Sequence, residues 1–549
     1  MVCEYRFPPM TSFYKHIQRL LILAIFLSSK ASFAQSTVLR VNSEKGVEII
    51  PVQSEWQLQR AKNTLLWEWV EKGHLFASLD SVSFNSDTVI YQLRPGYKVD
   101  LDDRAQEMLA ERDRLLSKYW NEGYPFARLY YDSIEYTDED QVNTRFRVEK
   151  GPFIVFDSLR VFGDVNYGAL YLQSASGIKF NDAFSESRYQ EVSSRLSKLK
   201  IARLRNPPDI GFAGGKATVI LHLEKVASDK FEGILGVLPS QEANRTDVTG
   251  YLNLELNNLF RSGKQFHINW NRFAPSAQSL DIQYTHPFFL QSPMAIQTDF
   301  SIFRQDSLFV KRNFSLVFSV PISKDLDFSM AVGTEASDIL GAEPSADFGL
   351  DYRTTTYTPG FTFRNDLFAK RFENGLFGKL GFGFGDKRIN RNQLFPTSTY
   401  DTVQLRSSNY QLDFFLSGQK TLGRNKALFA KFETGLLEGQ QILINEYYRI
   451  GGLRSLRGFN ENNFFVQDFM KIQSEYRFFF EQSSFLFGLM DWSLMNLLQD
   501  QFFTSSVGGG LSLDTGSGDF ELVFAIGSVD GLDFDFQSTK VHFGYSITF

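Results

Sequence analysis

The segment Val541–Phe549 reads Val-His-Phe-Gly-Tyr-Ser-Ile-Thr-Phe, with an apolar side chain at every second position. Successive side chains of a β-strand point to opposite faces, so this alternation predicts a strand with one apolar and one polar face. The pattern recurs from residue 230 onwards, for example at Leu252–Leu256, Phe266–Trp270 and Leu280–Tyr284. We count about 16 such segments and expect antiparallel strands alone in this part of the chain.

A soluble β-sandwich and a membrane β-barrel both alternate in this way. The segments are about 9–12 residues long, which is the length that a tilted membrane strand needs. The 56 Phe and 22 Tyr suit strands and the aromatic girdles at membrane interfaces. Because only a closed sheet satisfies every backbone polar group in lipid, we predict an all-β transmembrane barrel of about 16 strands over 230–549.

The N-terminus carries a predicted secretory signal peptide over 1–34. Two basic residues precede the apolar run Leu20–Leu27, and Ala-Ser-Phe-Ala at 31–34 has the small residues expected before a cleavage site at Gln35. The run is much shorter than the roughly 20 residues of a membrane anchor helix, which is the alternative. Cleavage would also remove Cys3, the only cysteine, so we expect neither a disulfide nor thiol chemistry in the mature chain.

Three α+β modules are predicted between the signal peptide and the strand-rich half, over 35–96, 97–152 and 153–226. Each joins a helix-like stretch to two strands, and Gly73 and Gly123 close the first two helices. The helix-like stretches are 54–72, 103–122 and 185–199, and the strands are 76–84 with 88–94, 128–136 with 141–149, and 201–204 with 216–224.

The residues give little indication of an enzyme. The formal net charge of −6 argues against nucleic acid as a partner. The six His are scattered without the spacing of a metal site, and no nucleophile elbow occurs. Asp530, Asp533 and Asp535 could bind calcium, but a solvated loop near the last turn explains them better. We therefore expect no catalytic residue, metal or cofactor.

One motif is more specific than the strand pattern. Tyr448–Phe459 reads Tyr-Arg-Ile-Gly-Gly-Leu-Arg-Ser-Leu-Arg-Gly-Phe. Together with Gly123–Ala127, Phe156–Gly163 and Asn257–Gly263, it resembles the BamA/TamA superfamily of outer-membrane assembly and translocation proteins. The resemblance spans nearly the whole chain and implies POTRA domains in the three modules. Three modules bring the architecture closer to TamA than to BamA, which has more, or to two-partner secretion transporters, which have fewer.

In that superfamily the motif lies in a loop that folds into the barrel lumen, where its Arg meets acidic residues on nearby strands. The resemblance assigns this role to Arg457, Gly458 and Phe459, with Gly451 and Gly452 at the entrance of the loop. A guanidinium forks onto carboxylates with direction and strength, so such a clamp could hold the loop. An ordinary surface loop is the alternative.

The expected partners of Arg457 are Glu475 and Asp491. Glu475 shares a strand face with polar neighbours, which fits the lumen, whereas Asp491 shares its face with Phe487 and Leu489. Ser493 also stands where the superfamily usually has Gly. Glu475 is therefore the preferred partner.

The segment that ends at Phe549 carries a second resemblance. His542, Gly544, Ile547 and Phe549 match the signal that barrel assembly machinery reads on the last strand of its clients. Such a strand stays unpaired until the barrel closes, so another sheet edge can capture it. The alternative is an amphipathic strand without that role, which would still belong to a barrel.

The resemblance implies an insertase or translocase in the outer membrane, with the N-terminal modules in the periplasm. Its partners would be the lipid bilayer, unfolded outer-membrane or exported client proteins, and periplasmic or lipoprotein components. Gly233 and Gly236 would weaken the first strand, where the barrel opens sideways. Two alternatives stay open: a transport channel or receptor with periplasmic docking domains, and a structural envelope protein that tethers periplasmic partners.

Overall fold

The chain divides into two compact units, Met1–Lys225 and Val226–Phe549. The computed structural model describes residues 2–4, 37–43, 46–52, 58, 61–62, 64–66, 68–69, 72, 74, 77–85, 88–95, 103–137, 141–197, 199, 202–239, 246–274, 277–305, 308–341, 349–365, 372–393, 395–497, 500–515, 518–531 and 534–548. Apart from residues 2–4, the predicted signal peptide lies outside the described residues.

The first unit mixes helices and strands. Its helices are α1 (Asp103–Asn121), α2 (Ala169–Ser176) and α3 (Glu186–Leu196). Its strands are β1 (Val2–Glu4), β2 (Thr37–Ser43), β3 (Gly46–Val52), β4 (Ser78–Asn85), β5 (Thr88–Arg94), β6 (Arg128–Thr137), β7 (Gln141–Glu149), β8 (Val155–Phe162), β9 (Ala202–Leu204), β10 (Asp209–Ala213) and β11 (Lys216–Lys225). They form a β3-β2-β5-β4 sheet, a β6-β7 hairpin and a β1-β8-β11-β10 sheet, with β9 paired to β11.

These elements fall in three groups along the chain. The described residues between 58 and 69 are helical, and α1, β5, β6 and β7 begin at the predicted positions. The third group contains α2 and β10, which were not predicted from the sequence. Helix α2 is only eight residues long and mostly apolar, so it shows too little periodicity to be recognised.

Helices α1 and α3 are joined by polar contacts near the start of α3. Ser185 caps α3, since its hydroxyl accepts a hydrogen bond from the Arg188 amide. The Asn121 side chain at the end of α1 accepts from the Ser187 amide and so joins the two helices. Phe156 of β8 and Val192 of α3 are fully buried in the core beneath them.

The second unit is a closed antiparallel barrel of 16 strands, so the predicted class and strand number are confirmed. The strands are β12 (Lys230–Pro239), β13 (Thr246–Leu259), β14 (Lys264–Ala274), β15 (Ala277–His286), β16 (Ala295–Gln305), β17 (Phe309–Pro321), β18 (Leu326–Ile339), β19 (Tyr352–Asn365), β20 (Gly375–Ile389), β21 (Arg406–Thr421), β22 (Lys426–Gly439), β25 (Asp468–Phe479), β26 (Phe485–Leu497), β27 (Asp500–Asp514), β28 (Asp519–Val529) and β29 (Lys540–Thr548). Two short strands, β23 (Tyr448–Ile450) and β24 (Phe464–Val466), lie outside the barrel wall and pair with each other.

Several strands are longer than the predicted 9–12 residues, and β21 reaches 16. That strand begins with Arg406-Ser407-Ser408-Asn409, before its apolar alternation starts. The barrel wall therefore continues past the apolar outer band. There the strands still pair, but their outward side chains are polar.

The two faces of the wall differ in chemistry. Phe382, Tyr476 and Phe543 are among the large apolar side chains that are exposed on the outside. Inward-facing residues of the same strands include Lys387, Glu475 and Ser546, which are buried. An apolar outer band around a polar interior is the pattern of a barrel embedded in lipid.

Because the number of strands is even, β12 begins and β29 finishes at the same end of the barrel, here called the near end. At the near end, Phe372 packs inside the wall against Phe479, in a cluster with Phe485 and Phe487. At the far end, Leu350, Phe395 and Leu443 of three connections pack together. Apolar side chains therefore pack together at both ends of the barrel.

Candidate functional site

The connection between β22 and β25, residues 440–467, folds inward as a hairpin of β23 and β24, and we call it the lumenal loop. Ile450, Leu456 and Phe459 of this loop are buried in one cluster with Phe469 and Met495 of the wall. The loop is thus packed against the inside of the barrel.

Gly451 and Gly452 form the entrance of the loop, with φ of +134° and +96°. A Cβ at Gly451 would lie 2.2 Å from the Asn460 carbonyl oxygen, and one at Gly452 would lie 2.0 Å from the Glu461 carboxyl carbon. The positive φ therefore favours glycine at both positions, and the nearby backbone leaves no room for a side chain at Gly451.

Arg457 meets both acidic residues named from the sequence. Its Nε donates to Asp491 Oδ2 at 2.9 Å and its Nη2 to Asp491 Oδ1 at 2.5 Å. Its Nη1 donates to Glu475 Oε1 at 2.5 Å. The side chains of Arg457, Glu475 and Asp491 are only 5%, 9% and 0% exposed, so water does not screen these pairs.

Asp491 takes the larger share of the guanidinium, although its strand face is otherwise apolar. It accepts the paired Nε and Nη2 donors and also lies 3.3 Å from the Arg457 amide. The preference for Glu475 therefore underrated Asp491. Phe487 and Leu489 on the same face are buried in the lumen, so an apolar face here also points inward.

The two carboxylates have a larger effect on the pKa of Arg457 than burial has. Burial alone would lower the pKa of the Arg457 guanidinium, but the hydrogen bonds and charges of Asp491 and Glu475 raise that pKa above its usual range. Two neighbours orient the acids: Gln473 Nε2 donates to Asp491 Oδ2 at 3.3 Å, and Arg477 Nε donates to Glu475 Oε2 at 2.7 Å.

Gly458 and Phe459 press the loop against β28. Gly458 has φ +85°, and a Cβ there would lie 2.9 Å from both the Gly527 nitrogen and the Ile526 carbonyl carbon. The Phe459 ring covers Gly527, where a Cβ would lie 2.5 Å from the Phe459 Cζ. Two glycines on facing segments thus allow a close backbone approach.

The contact between the first and last strands, which we call the seam, is short. β12 pairs with β29 at Lys230↔Thr548, Phe231↔Ile547 and Glu232↔Ser546, and no further pairing joins them in the described residues. On its other side, β12 pairs with β13 at ten positions, from Lys230 to Pro239. Gly233 and Gly236 lie in the part of β12 that pairs on one side only.

The predicted strand signal lies beside this seam. Ile547 belongs to the three pairs, and Gly544 and His542 pair with Glu521 and Val523 of β28. Phe549 lies outside the described residues.

A cavity of about 240 Å³ opens inside the barrel at the seam. Its wall combines the clamp residues Arg457 and Glu475 with Glu232 of β12 and Gly544 of β29. Leu453 and Arg454 of the loop tip also line the cavity. The clamp, the loop and the seam therefore share one space.

Two contacts of the loop were not found from the sequence. The guanidinium of Arg454 donates to Glu232 Oε2 at 2.5 Å. The guanidinium carbon of Arg449 lies 3.3 Å from the ring centroid of Phe465 and within 6 Å of the rings of Phe303 and Phe309. Alternation does place Glu232 on the lumenal face of β12, but only the folded loop shows what reaches it.

Burial lowers the pKa of the Arg449 guanidinium to about 9. Its aromatic surroundings nevertheless suit a cation, because the ring faces are negative. Arg449 thus attaches the base of the loop to β16 and β17 through the rings of Phe303 and Phe309.

Among the described residues, no three His, Cys, Asp or Glu side chains are grouped so that they could hold a metal ion. In the same part of the chain, no helix has the length and apolar character needed to cross a membrane.

Comparisons with known proteins place the fold. No family model and no curated protein matches the sequence. Among solved structures, CdiB from Escherichia coli aligns with a TM-score of 0.52 at 13% identity, covering 98% of this chain and 100% of that one. CdiB from Acinetobacter baumannii aligns with a TM-score of 0.51 at 14% identity and the same coverage.

A third solved structure is BamA from Haemophilus ducreyi lacking POTRA domains 1-3, with a TM-score of 0.45 at 12% identity over 82% of this chain and 95% of that one. At the identities of the two CdiB structures, the similarity establishes a shared fold. The chain is thus similar in fold to CdiB over nearly its full length.

Proposed function

We propose that this protein is an outer-membrane insertase or translocase that handles other proteins through a barrel that opens at the seam. The observation that carries the proposal is the three-residue pairing of β12 with β29, beside ten pairs between β12 and β13. A barrel that served only as a closed wall would gain from full pairing here, because unsatisfied backbone groups are costly in lipid.

Beside the seam, β12 and β29 each have an edge that does not pair with the other strand, and a client strand could bind there. Beyond Glu232, β12 continues to Pro239 without β29, and before Ser546, β29 begins at Lys540 without β12. A client strand could pair with either edge and so cross the lipid boundary with its backbone satisfied. The energy would come from the folding of the client.

The location and partners follow from this proposal. We place the barrel in the outer membrane and the first unit in the periplasm, where its sheets would bind clients or partner proteins by strand addition. The similarity in fold to CdiB supports this placement. The three modules of the first unit are proposed POTRA domains.

The test is to lock the seam. Phe231→Cys with Ile547→Cys joins two directly paired residues, and Ile268→Cys with Ile282→Cys joins two paired residues of β14 and β15, where nine pairs already hold the strands. Each double-cysteine variant would be expressed in a strain depleted of the wild-type protein. The envelope proteome would then be quantified under oxidising and under reducing conditions.

Loss of other outer-membrane or surface-exported proteins only for the oxidised seam pair would support the proposal and identify the clients. Full activity of the oxidised seam pair would refute lateral opening. An unchanged outer-membrane proteome after depletion, with altered permeability to solutes, would instead support a transport channel.

A further inference from the structure

The tip of the lumenal loop bridges the seam from inside the barrel. On one side, Gly458 and Phe459 lie against Gly527 of β28. On the other side, Arg454 reaches Glu232 of β12. Leu453 and Arg454 line one cavity with Gly544 and Ser546 of β29, so the loop tip faces the last strand and contacts the first.

Glu232 lies in the paired part of the seam and also contacts the loop. It is one of the three β12 residues that pair with β29, opposite Ser546. Its Oε2 accepts from Arg454 and, at 3.0 Å, from the Tyr251 hydroxyl of β13. The Arg454 guanidinium carbon also lies 5.3 Å from the Tyr251 ring centroid.

The ion pairs of Arg457 and Arg454 attach the loop with unequal strength. Arg457 is buried between two carboxylates, and breaking a buried ion pair is strongly destabilising. Arg454 is 63% exposed and Glu232 is 19% exposed, so this pair faces water and is screened by salt. The attachment that touches the seam is the weaker one.

We propose that Arg454 and Glu232 form a latch that holds the first strand against the last strand, and that releasing it widens the seam while the Arg457 clamp keeps the loop in the lumen. This inference rests on the proposed function, because it assumes that the seam opens while the protein inserts or translocates a client. Arg454 acts through Glu232 and is a positioning residue. Lys431 Nζ donates to the Arg454 carbonyl at 3.2 Å and steadies its backbone.

The test measures the seam directly in the full-length protein in liposomes, without any client. The readout is the rate at which the Phe231→Cys, Ile547→Cys pair forms a disulfide under a mild oxidant. We expect Arg454→Gln and Glu232→Gln each to slow this rate several-fold, because β12 spends less time paired. Arg312→Gln removes another exposed ion pair, to Asp338 on strands remote from the seam, and should leave the rate unchanged.

Two further measurements separate a latch from a general loss of structure. The exchange of charges, Arg454→Glu with Glu232→Arg, should restore much of the lost rate, because only the pair is rebuilt. Raising the salt from about 0.05 M to about 0.5 M should slow the wild type and leave Arg454→Gln unaffected. Heat-modified migration on gels confirms that each variant is a folded barrel.

Equal disulfide rates in wild type and Arg454→Gln would overturn the latch, whatever the client assay shows. A slowed rate that the charge exchange restores would support it even if depletion left the outer-membrane proteome intact, in which case only the proposed function would fail.

Discussion

At the scale of single residues, the clamp shows how burial converts a short motif into a fixed geometry. A surface ion pair contributes about 0–1 kcal/mol, whereas breaking a buried pair costs about 3–5 kcal/mol. Arg457 with Asp491 belongs to the second kind, since both side chains are almost fully buried. The clamp is therefore a stable anchor of the loop.

Neutralising either acid of the clamp should destabilise the protein. Asp491→Asn removes the carboxylate that receives two guanidinium donors, so we expect it to lower the free energy of unfolding by about 3–5 kcal/mol. Glu475→Gln leaves Arg457 paired with Asp491 but takes the carboxylate away from buried Arg477, so we expect a loss of the same order. Urea unfolding of the purified protein measures both.

The matched control is Asp338→Asn, which removes a half-exposed partner of Arg312 and should change the free energy of unfolding by less than about 1 kcal/mol. A loss for Asp491→Asn as small as the loss for Asp338→Asn would contradict a buried clamp.

At the scale of elements, the packing of the loop on β28 depends on Gly458. Gly458→Ala combines a left-handed backbone with a Cβ 2.9 Å from the backbone of β28, so loop and strand must separate. Gly423 has nearly the same φ, +87° against +85°, but a Cβ there would meet no other atom within 4 Å.

Gly423→Ala should therefore lose only the backbone term of about 1–2 kcal/mol. Gly458→Ala should lose about 1–3 kcal/mol more, from overpacking. Protease cleavage within the loop should rise for Gly458→Ala alone. Equal stability and equal cleavage of the two variants would show that the loop does not pack on β28 in the membrane.

At the scale of the whole molecule, the even number of strands fixes which connections share an end. The turn at 322–325 lies at the near end and the connection 530–539 at the far end. If the first unit is periplasmic, near-end turns face the periplasm and far-end connections face the cell exterior.

Single cysteines test this orientation, because Cys3 is the only native one and lies in the predicted signal peptide. A membrane-impermeant maleimide should label Gln537→Cys on intact cells. It should label Ser323→Cys only after the outer membrane is permeabilised; both positions are exposed. The reverse result would invert the proposed orientation.

The sequence alone was sufficient for features that depend on local periodicity. Alternation in segments such as Val541–Phe549 predicts the strands and their two faces, and counting them gives the 16 strands that close the barrel. The resemblance of the motif around Arg457 to a known superfamily pointed to Glu475 and Asp491, which the fold brings to it across 18 and 34 residues of chain.

Alternation could not determine which apolar faces point inward. Phe487 and Leu489 line the lumen beside Asp491, so an apolar strand face does not by itself mean lipid. Phe487 and Leu489 pack inside the barrel near Phe372, which belongs to a connection between strands. Whether they find such a partner depends on which connections fold inward. This is a property of the closed barrel and not of any one strand.

Tertiary structure alone decided the contacts that join distant segments. Arg454 and Glu232 are separated by 222 residues and meet only because the barrel closes and the loop folds inside it. The length of the seam is likewise set by where β29 comes to lie beside β12. Local patterns specify strands and turns because those depend on neighbouring residues, whereas the loop, the cavity and the seam depend on closure of the whole sheet.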